Sequence, residues 1–338
     1  MRQSLITNFR KVSEAVAIKA SCFNGHSDPE GATRAAARAM RQGFGGMNMS
    51  AKVVVGQLEA EDPFHTTDLD TPIAAGEILG RGGDSLDMAL DPIEGAHLCA
   101  KNQPNAITAI AFAPRNTMMH VPDMGYLAKF ACGPGIEGVS LGVEYSVEHN
   151  IRAVARGRGK AVEDVVVCIL DRPRHKDLIR QVHEAGARVR LIYDGDIQAS
   201  IATAIAGTGV DIYLGEGGPA EGLLACAAIK SIGGFFQSKY VYLTDEQKDF
   251  IDNTCTFNHD DILTMDEMVR TRDIHFVATG ITNGEMLGGV KNFADGSCET
   301  SSLVLSSIEH TTSFVRTIYR GGSIGWEQAE PGIIDSVF

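Results

Sequence analysis

The sequence predicts an α/β fold built of two domains. Apolar runs of five to eight residues, typical of buried strands, alternate with helical stretches in the second half of the chain. Such alternation is the pattern of sheets covered by helices. The length of 338 residues exceeds the roughly 250–300 residues at which a single hydrophobic core stops growing. Two domains are therefore expected.

Two helices are predicted to open the chain. Leu5, Phe9 and Val12 recur at steps of three and four residues, which places them on one face of a helix. The Ala-rich segment that follows starts with Asp28 as a predicted N-cap and Pro29 at the first helical position. The missing N–H of proline costs nothing there, so a second helix is expected.

Six apolar segments are predicted strands, with helical stretches between the later ones. They are KVVVG at 52–56, AITAIAFA at 106–113, DVVVCIL at 164–170, RVRLI at 188–192, VDIYLG at 210–215 and IHFVATG at 274–280. The helical stretches are KDLIRQVHEAG and IQASIATAIAGTG. A passage containing Gly and Arg precedes this alternation and marks a predicted domain boundary near residue 150. We therefore predict a first domain over 1–150, a second over 151–320 and a tail over 321–338.

Composition and charge disfavour several classes of function. A net charge of −13 argues against a nucleic-acid partner, because phosphate backbones require clustered Lys and Arg. No apolar run reaches the roughly 18 residues that span a bilayer, and the N-terminus lacks the continuous apolar region of a secretory signal. We therefore expect no membrane insertion. Seven cysteines without a CxxC spacing predict free thiols, in the cytoplasm or a reducing organelle compartment.

The stretch DPIEGA, residues 91–96, is the first candidate for chemistry. Asp91 and Glu94 offer carboxylate oxygens, which are the ligands that Mg²⁺ and Mn²⁺ prefer. A metal ion held there could polarise a phosphoryl oxygen and activate a water molecule. The same spacing is also found in ordinary acidic turns. These residues by themselves leave both interpretations open.

A series of motifs in a fixed order gives DPIEGA its context. It is followed by VPDMGYLAKF, DRPRH, YDGDIQAS, GEGGPAEG and ATGITNGEMLGG. This series resembles the class II fructose-1,6-bisphosphatases of bacteria, from the first helix to about residue 320. The resemblance implies a two-domain, layered αβαβα sugar-phosphatase fold. It also implies hydrolysis of the 1-phosphate of fructose 1,6-bisphosphate, or of sedoheptulose 1,7-bisphosphate, with divalent metal ions such as Mg²⁺ or Mn²⁺.

The resemblance implies metal ligands and an assembly state. Asp91, Glu94 and Glu221 match the positions of metal ligands, and the first two are the expected catalytic residues. The family commonly oligomerises, so a homo-oligomer or a subunit of a larger assembly is expected.

The resemblance also implies a binding site for a phosphorylated sugar. Tyr126, Arg172 and Arg174 match the group that holds the distal phosphate, and arginine offers phosphate a bidentate fork of N–H donors. Asp194 and Asp196 are implied to bind sugar hydroxyls. Gly217 and Gly218 are implied to let the backbone come close to the ligand. For the two aspartates in YDGD, an ordinary turn after a strand is the alternative.

Among the departures from the family pattern, three fall on metal-binding or water-activating positions. Thr33 stands where the family has a metal-binding aspartate, and Gln57 where it has a metal-binding glutamate, so two ligand charges are missing. Ala96 stands at the threonine that positions or activates the attacking water, and a methyl group neither donates nor accepts a proton. One extra residue in VPDMGYLAKF also shifts Tyr126 relative to Asp123.

Two hypotheses of different class follow. The first is a catalytically impaired or inactive family member that serves as a structural or regulatory subunit. The second is an active bisphosphatase of gluconeogenesis or the Calvin cycle, in which a nearby acid takes the place of a missing ligand. The acids available for this are Glu59, Glu61, Asp62 and Glu216. A third interpretation is a phosphatase acting on another phosphorylated sugar or inositol.

Overall fold

The computed structural model describes residues 3–57, 72–136 and 138–320. It consists of two compact units, and each unit contains one β-sheet with helices packed on it. The predicted α/β class and the two-domain organisation are therefore confirmed. The acids Glu59, Glu61 and Asp62 lie outside the described residues.

The boundary between the units differs from the predicted one near residue 150. The first unit joins two separate parts of the chain, Met1–Met118 and Asp273–Phe338, and the second unit is Met119–Arg272. The late strand at 275–280 pairs with the early strand at 107–114, and a single cut along the sequence cannot represent this. The predicted tail, 321–338, lies outside the described residues.

The elements of the first unit, numbered in chain order through the whole protein, come from both parts of the chain. Its helices are α1 (Gln3–Ser21), α2 (Pro29–Gly45) and α3 (Ala96–Ala100). Its strands are β1 (Met49–Val55), β2 (Ile78–Leu79), β3 (Asp84–Glu94), β4 (Ile107–Pro114), β11 (His275–Gly280), β12 (Lys291–Asn292), β13 (Cys298–Ser306) and β14 (Thr311–Tyr319).

The sheet of the first unit runs in the order β12-β13-β11-β4-β3-β1-β2, and β14 pairs with β13. Only β1 and β3 are parallel neighbours among these strands; the other pairs are antiparallel. Helices α1 and α2 pack on this sheet. The Phe9 ring on α1 stacks on that of Phe112 at a centroid distance of 3.8 Å and lies 5.2 Å from that of Phe44. The predicted cap of α2 is confirmed, since Asp28 Oδ1 accepts the N–H of Gly31 at 2.8 Å.

The elements of the second unit form a mixed sheet between helices. Its strands are β5 (Tyr126–Cys132), β6 (Val166–Leu170), β7 (Arg188–Ile192), β8 (Ile212–Gly217), β9 (Phe235–Val241) and β10 (Ile262–Thr264). Its helices are α4 (Val147–Arg158), α5 (Lys176–Glu184), α6 (Asp196–Ala202), α7 (Pro219–Ile232), α8 (Asp245–Thr254) and α9 (Met265–Met268). Short 3₁₀ turns cover Val162–Asp164 and Pro173–His175.

The sheet of the second unit runs in the order β10-β9-β5-β8-β6-β7. Side chains alternate between its two faces along β5. Phe130 belongs to the apolar core shared with α4 and α5, whereas Leu127 and Lys129 lie against Gly222 of α7. The face that packs on α4 and α5 is called the outer face below, and the face that packs on α6 and α7 is called the inner face.

All six predicted strands are present, in β1, β4, β6, β7, β8 and β11. The predicted helix in IQASIATAIAGTG is shorter than expected, because α6 ends at Ala202. No helix of the described residues is long and apolar enough to cross a membrane. The seven cysteines are free thiols, as predicted, and five of them are buried.

A buried carboxylate joins α1 to the last two strands. Glu14 is 0% exposed, and its oxygens accept hydrogen bonds from Arg10 Nη1 at 2.5 Å, Thr317 Oγ1 at 2.6 Å and Tyr319 OH at 2.5 Å. Ser302 Oγ contributes a longer bond of 3.4 Å. Burial, and then the negative charge of Glu14, raise the pKa of the Tyr319 phenol well above its usual range, so it remains a donor. The network ties the β13–β14 hairpin to α1.

We expect Glu14→Ala to lower the free energy of unfolding by about 3 kcal/mol, because it leaves Arg10, Thr317 and Tyr319 without their shared acceptor. Urea denaturation monitored by circular dichroism measures this change. Glu309→Ala, at an exposed acid in the β13–β14 turn, is the control and should change stability by less than about 0.5 kcal/mol. Equal losses in the two variants would contradict the structural role of Glu14.

Candidate active site

In the first unit, the acids of DPIEGA lie at an irregular strand end. Asp91 pairs with Ala109 of β4, and Glu94 pairs with Ile107. An advance of three residues along β3 therefore lies opposite an advance of two residues along β4. This offset is a β-bulge, a feature that redirects side chains at the end of a strand. Asp91 Oδ1 accepts the N–H of Ile93 at 3.0 Å, and Glu94 is only 3% exposed. DPIEGA is therefore a bulged strand end rather than a simple turn.

Ala96 begins the short helix α3 directly after this bulge. Gly95 precedes it with φ = 82°, a left-handed conformation that glycine adopts without strain. The half-buried methyl group of Ala96 packs against the apolar core of the first unit. This position therefore contributes an apolar contact and no hydroxyl group.

The other two altered positions have their side chains engaged within the fold. Thr33 Oγ1 donates to the carbonyl of Pro29, one turn earlier in α2, at 2.9 Å. Gln57 Oε1 accepts the N–H of Ile73 at 3.1 Å, and the backbone N–H of Gln57 donates to the carbonyl of Ile73 at 2.7 Å. The hydroxyl proton of Thr33 and the amide oxygen of Gln57 thus take part in local structure.

The donor chemistry of Asp91 and Glu94 fits a hard divalent cation. Both are carboxylates on one strand end, and Mg²⁺ and Mn²⁺ favour oxygen donors. Within either unit, the described part of the chain contains no cluster of three or more His, Cys, Asp and Glu side chains arranged to hold a metal. The two acids of the first unit are therefore a partial ligand set.

In the second unit, a buried ion pair lies on the inner face. Lys129 Nζ on β5 lies 2.6 Å from Asp196 Oδ2 at the start of α6, and both side chains are almost fully buried. Tyr213 OH on β8 donates to the same oxygen at 3.4 Å. Asp196 was expected to bind sugar hydroxyls. In the structure one of its oxygens is occupied by the ammonium group of Lys129.

Glu221, in the first turn of α7, belongs to the same group of charges. Burial, and then the negative charge of Asp196, raise the pKa of Glu221 to about 7, while Lys129 acts in the opposite direction. Asp123 adds a smaller effect that also raises this pKa. A carboxyl group with a pKa near 7 is available either as a proton donor or as an anionic ligand close to neutral pH.

Gly217 and Gly218 make room for these carboxylates. A Cβ atom on Gly217 would lie 1.9 Å from Asp196 Oδ2, and one on Gly218 would lie 2.0 Å from Glu221 Oε2. Both contacts are far shorter than atoms tolerate. The two glycines were expected to permit the approach of a ligand. The contacts seen here are with carboxylates of the chain itself.

The residues expected to hold a phosphate lie partly on the outer face. The Arg174 guanidinium group lies over the Tyr126 ring, 4.2 Å from its centroid, which is a cation–π contact. Arg174 Nη2 also donates to the carbonyl of Glu216 at 2.7 Å, and its Nε lies 3.7 Å from the carboxylate of that residue. Gly125, with φ = 63°, lets the chain turn into β5 despite the extra residue, so that Tyr126 starts the strand.

A buried histidine supports this arrangement. His175 Nε2 accepts the N–H of Glu216 at 2.9 Å, so the proton resides on Nδ1, which donates to the carbonyl of Leu170 at 2.7 Å. Burial is the main cause that lowers the pKa of His175, which favours the neutral ring. Beside Arg174 and His175 lies a cavity of about 200 Å³, also lined by Tyr145.

Two further predicted residues lie at strand ends. Arg172, two residues after the end of β6, is half-buried, and its Nη1 donates to the carbonyl of Asp171 at 3.1 Å. Asp194 Oδ1 accepts the N–H of Gly195, which has φ = 93° and precedes α6. YDGD thus lies between the end of β7 and the start of α6.

Sequence reasoning missed three residues of the second unit: Lys129, Tyr213 and His175. Of these, Lys129 left a readable signal, because a single lysine interrupts the apolar strand YLAKFAC. A lysine inside a buried strand requires an acidic partner. The sequence does not say which acid provides it.

As the pH rises from about 4.5 to about 7.5, we expect the free energy of unfolding of the metal-free protein to fall more in the wild type than in Glu221→Gln. The pKa of Glu221 is higher in the folded protein than in the unfolded chain, so the protonated carboxyl group stabilises the fold. This stabilisation is complete at a pH below the pKa of the unfolded chain, and it is lost as the pH rises through about 7. The difference should be about 1–3 kcal/mol, measured by urea denaturation in the presence of a chelator.

Glu163→Gln, at an exposed acid, is the control for this measurement and should follow the wild-type pH dependence. If Glu221→Gln also followed the wild-type curve, the raised pKa of Glu221 would be wrong.

Comparison of the sequence with known proteins identifies its family. Residues 3–319 match the family described as bacterial fructose-1,6-bisphosphatase, glpX-encoded. Over 333 residues the chain is 33% identical to a D-fructose 1,6-bisphosphatase class 2/sedoheptulose 1,7-bisphosphatase of Prochlorococcus marinus (strain MIT 9313), covering 94% of this chain and 97% of that protein.

A second relative is the fructose-1,6-bisphosphatase class 2 of Haemophilus influenzae, which is 31% identical over 332 residues with the same shares of both chains covered. The match to the family extends through both units, including the late strands β11, β13 and β14. The chain therefore belongs to the bacterial class 2 fructose-1,6-bisphosphatase family.

Proposed function

We propose that this protein binds a phosphorylated sugar but hydrolyses it slowly or not at all, and that it serves as a structural or regulatory subunit. The observation that carries the proposal is what the side chains at the three altered positions contact. Thr33 and Gln57 are hydrogen-bonded within the fold, and Ala96 packs on the apolar core. None of them presents a carboxylate or a hydroxyl group suited to activating water.

Electrostatics supports reduced metal binding. Neutral side chains at Thr33 and Gln57 remove two negative charges relative to the family pattern, and the affinity of an oxygen site for divalent cations depends on its ligand charge. The loss of the hydroxyl group at Ala96 would lower the rate by a factor of roughly 10²–10⁴ if that group assists proton transfer.

Binding of the sugar phosphate depends on groups of the second unit that the chain retains. Arg174, held by Tyr126 and Glu216, offers guanidinium donors to phosphate oxygens, and Arg172 follows the neighbouring strand. Asp194 carries a half-buried carboxylate at the end of β7 that can accept a hydrogen bond from a sugar hydroxyl. These groups can bind without any chemical step.

The alternative is an active phosphatase, and the retained acids favour it. Asp91 and Glu94 of the first unit, and separately Glu221 of the second, offer carboxylates to Mg²⁺ or Mn²⁺, which when bound supplies a Lewis acid for the phosphoryl group and lowers the pKa of a water molecule. Glu216 is a poor replacement ligand, because its carboxylate faces Arg174 on the outer face of the sheet. The named activity of the relatives, on fructose 1,6- and sedoheptulose 1,7-bisphosphate, would then apply here.

A phosphate-release assay on fructose 1,6-bisphosphate with Mg²⁺ or Mn²⁺ separates the two functions. We expect the wild type to be at least about a hundredfold slower than the triple variant Thr33→Asp, Gln57→Glu, Ala96→Thr, since that variant regains two ligand charges and the hydroxyl group. Glu94→Gln in the triple variant should abolish the gain.

Wild-type turnover equal to that of the triple variant, and lost in the single variant Glu94→Gln, would overturn the proposal and establish the active phosphatase. Calorimetric titration of both proteins with Mn²⁺ provides a second readout, in which the triple variant should bind the metal more tightly.

Ligand binding can be tested without catalysis. We expect Arg174→Gln to weaken binding of fructose 1,6-bisphosphate about tenfold or more in calorimetry, because it removes a charged phosphate donor. Arg180→Gln, at an exposed arginine on α5 that pairs with acids of its own helix, should bind like the wild type. Unchanged affinity in Arg174→Gln would exclude Arg174 from the phosphate site.

A further inference from the structure

The end of β8 extends beyond its pairing with β6. Among the described residues, this parallel pairing covers only Ile212 and Tyr213 of β8, whereas the antiparallel pairing of β8 with β5 continues to Gly217. Glu216 therefore has a strand neighbour on the β5 side and none at its own level on the β6 side. Backbone N–H and C=O groups that leave a sheet in this way need other partners.

Two side chains of one short turn supply these partners at Glu216. His175 Nε2 accepts the N–H of Glu216 at 2.9 Å, and Arg174 Nη2 donates to the carbonyl of the same residue at 2.7 Å. Both side chains come from the 3₁₀ turn Pro173–His175, which follows β6. The pair of side chains thus takes the place that a neighbouring strand would fill, and Glu216 connects the histidine to the arginine.

The His175 ring is itself held firmly between two strands. It is only 1% exposed, and its Nδ1 donates to the carbonyl of Leu170, the last residue of β6, at 2.7 Å. A Cβ atom on Gly215 of β8 would lie 3.3 Å from the ring, so the missing side chain there lets the ring lie close against the strand. A ring fixed on both sides can hold the backbone of Glu216 in one position.

The charge state of the ring keeps its acceptor available. Burial is the main cause that lowers the pKa of His175, and the charges of Arg174 and Arg172 act in the same direction. The hydrogen bond to Leu170 and the charge of Glu216 act in the opposite direction. The neutral ring is therefore favoured, and Nε2 keeps the lone pair that accepts the N–H of Glu216.

We propose that His175 is a positioning residue for phosphate recognition: by holding the backbone of Glu216, it fixes the Arg174 guanidinium group in the place where it meets a phosphate. The inference rests on the proposed function, in which Arg174 binds the phosphate of a sugar. A guanidinium group has several N–H donors, so the one used at Glu216 leaves others for phosphate oxygens. An arginine that is already held in place loses less side-chain entropy when the ligand binds.

Two substitutions of His175 separate its two hydrogen bonds. The amide nitrogen of asparagine is as many bonds from Cα as Nδ1, so His175→Asn can keep the bond to Leu170 but does not reach Glu216. The amide oxygen of glutamine is as many bonds from Cα as Nε2, so His175→Gln can keep the bond to Glu216 and loses that to Leu170. Each variant leaves one buried backbone group without its partner, so both should lose stability to a similar degree in thermal unfolding.

Calorimetric titration with fructose 1,6-bisphosphate then tests the positioning role. We expect His175→Asn to weaken binding about threefold or more, and His175→Gln to bind within about twofold of the wild type, because only the second keeps Glu216 in place. In the Arg174→Gln background, His175→Asn should cause no further loss, because the group that it positions is gone. His183→Asn, at an exposed histidine on α5, is the control and should bind like the wild type.

Equal affinities of the two His175 variants would overturn the positioning role, as would a full further loss in the Arg174→Gln background. If His175→Asn does not fold, His175→Gln decides: affinity near that of the wild type supports the role, and a loss of about threefold or more contradicts it. If Arg174→Gln weakens binding and folded His175→Asn does not, this inference alone fails. If Arg174→Gln binds like the wild type, the phosphate role of Arg174 fails, and the inference fails with it.

Discussion

The insertion of β11 between β4 and β13 is the constraint on which the first unit depends. Phe276, the second residue of this late strand, pairs with Ala111 on one side and with Leu305 on the other. Beside it, the hydroxyl group of Thr279 lies 2.7 Å from that of Ser13 on α1, which links the strand to the helix layer. Because β4 in turn pairs with β3, the acids at the end of β3 are held in place by residues that lie far later in the chain. Bringing these distant segments together has an entropic cost, which buried apolar contacts across the sheet must offset.

The second unit depends on a different kind of interaction, a group of buried charges. Lys129 and Asp196 form a nearly fully buried pair, and Glu221 responds electrostatically to both. A buried ion pair adds little net stability, but the loss of one partner leaves an unpaired buried charge, which is strongly destabilising. The chain must therefore keep all members of this group together, including Gly217 and Gly218, whose missing side chains leave space for the acids. Stability is thus by itself a sufficient reason for the chain to keep these residues.

The sequence predicted the elements that arise from local patterns of residues. It did not predict the features that arise from contacts between segments distant in the chain. The strands KVVVG and RVRLI, and the cap at Asp28, follow from apolar runs and from a single hydrogen bond within four residues. The motifs identified the family, so the candidate residues could be named. Motifs do not state which partners those residues have in the fold. The pairing of Asp196 with Lys129, the bulge after Asp91 and the discontinuous first unit all depend on contacts between distant segments.

The three altered positions suit a fold that is stable without metal. In α2, Thr33 donates to the carbonyl of Pro29, whereas an aspartate there would place a negative charge near that carbonyl and would need a cation to balance it. Gln57 can accept the N–H of Ile73 without adding negative charge to the first unit. Ala96 adds apolar contact to the core in place of a hydroxyl group that would need a partner. Each replacement removes a polar or charged group that a bound metal or water would have satisfied. Under the proposed function, stability without a bound metal and the loss of water activation would therefore arise at the same three positions.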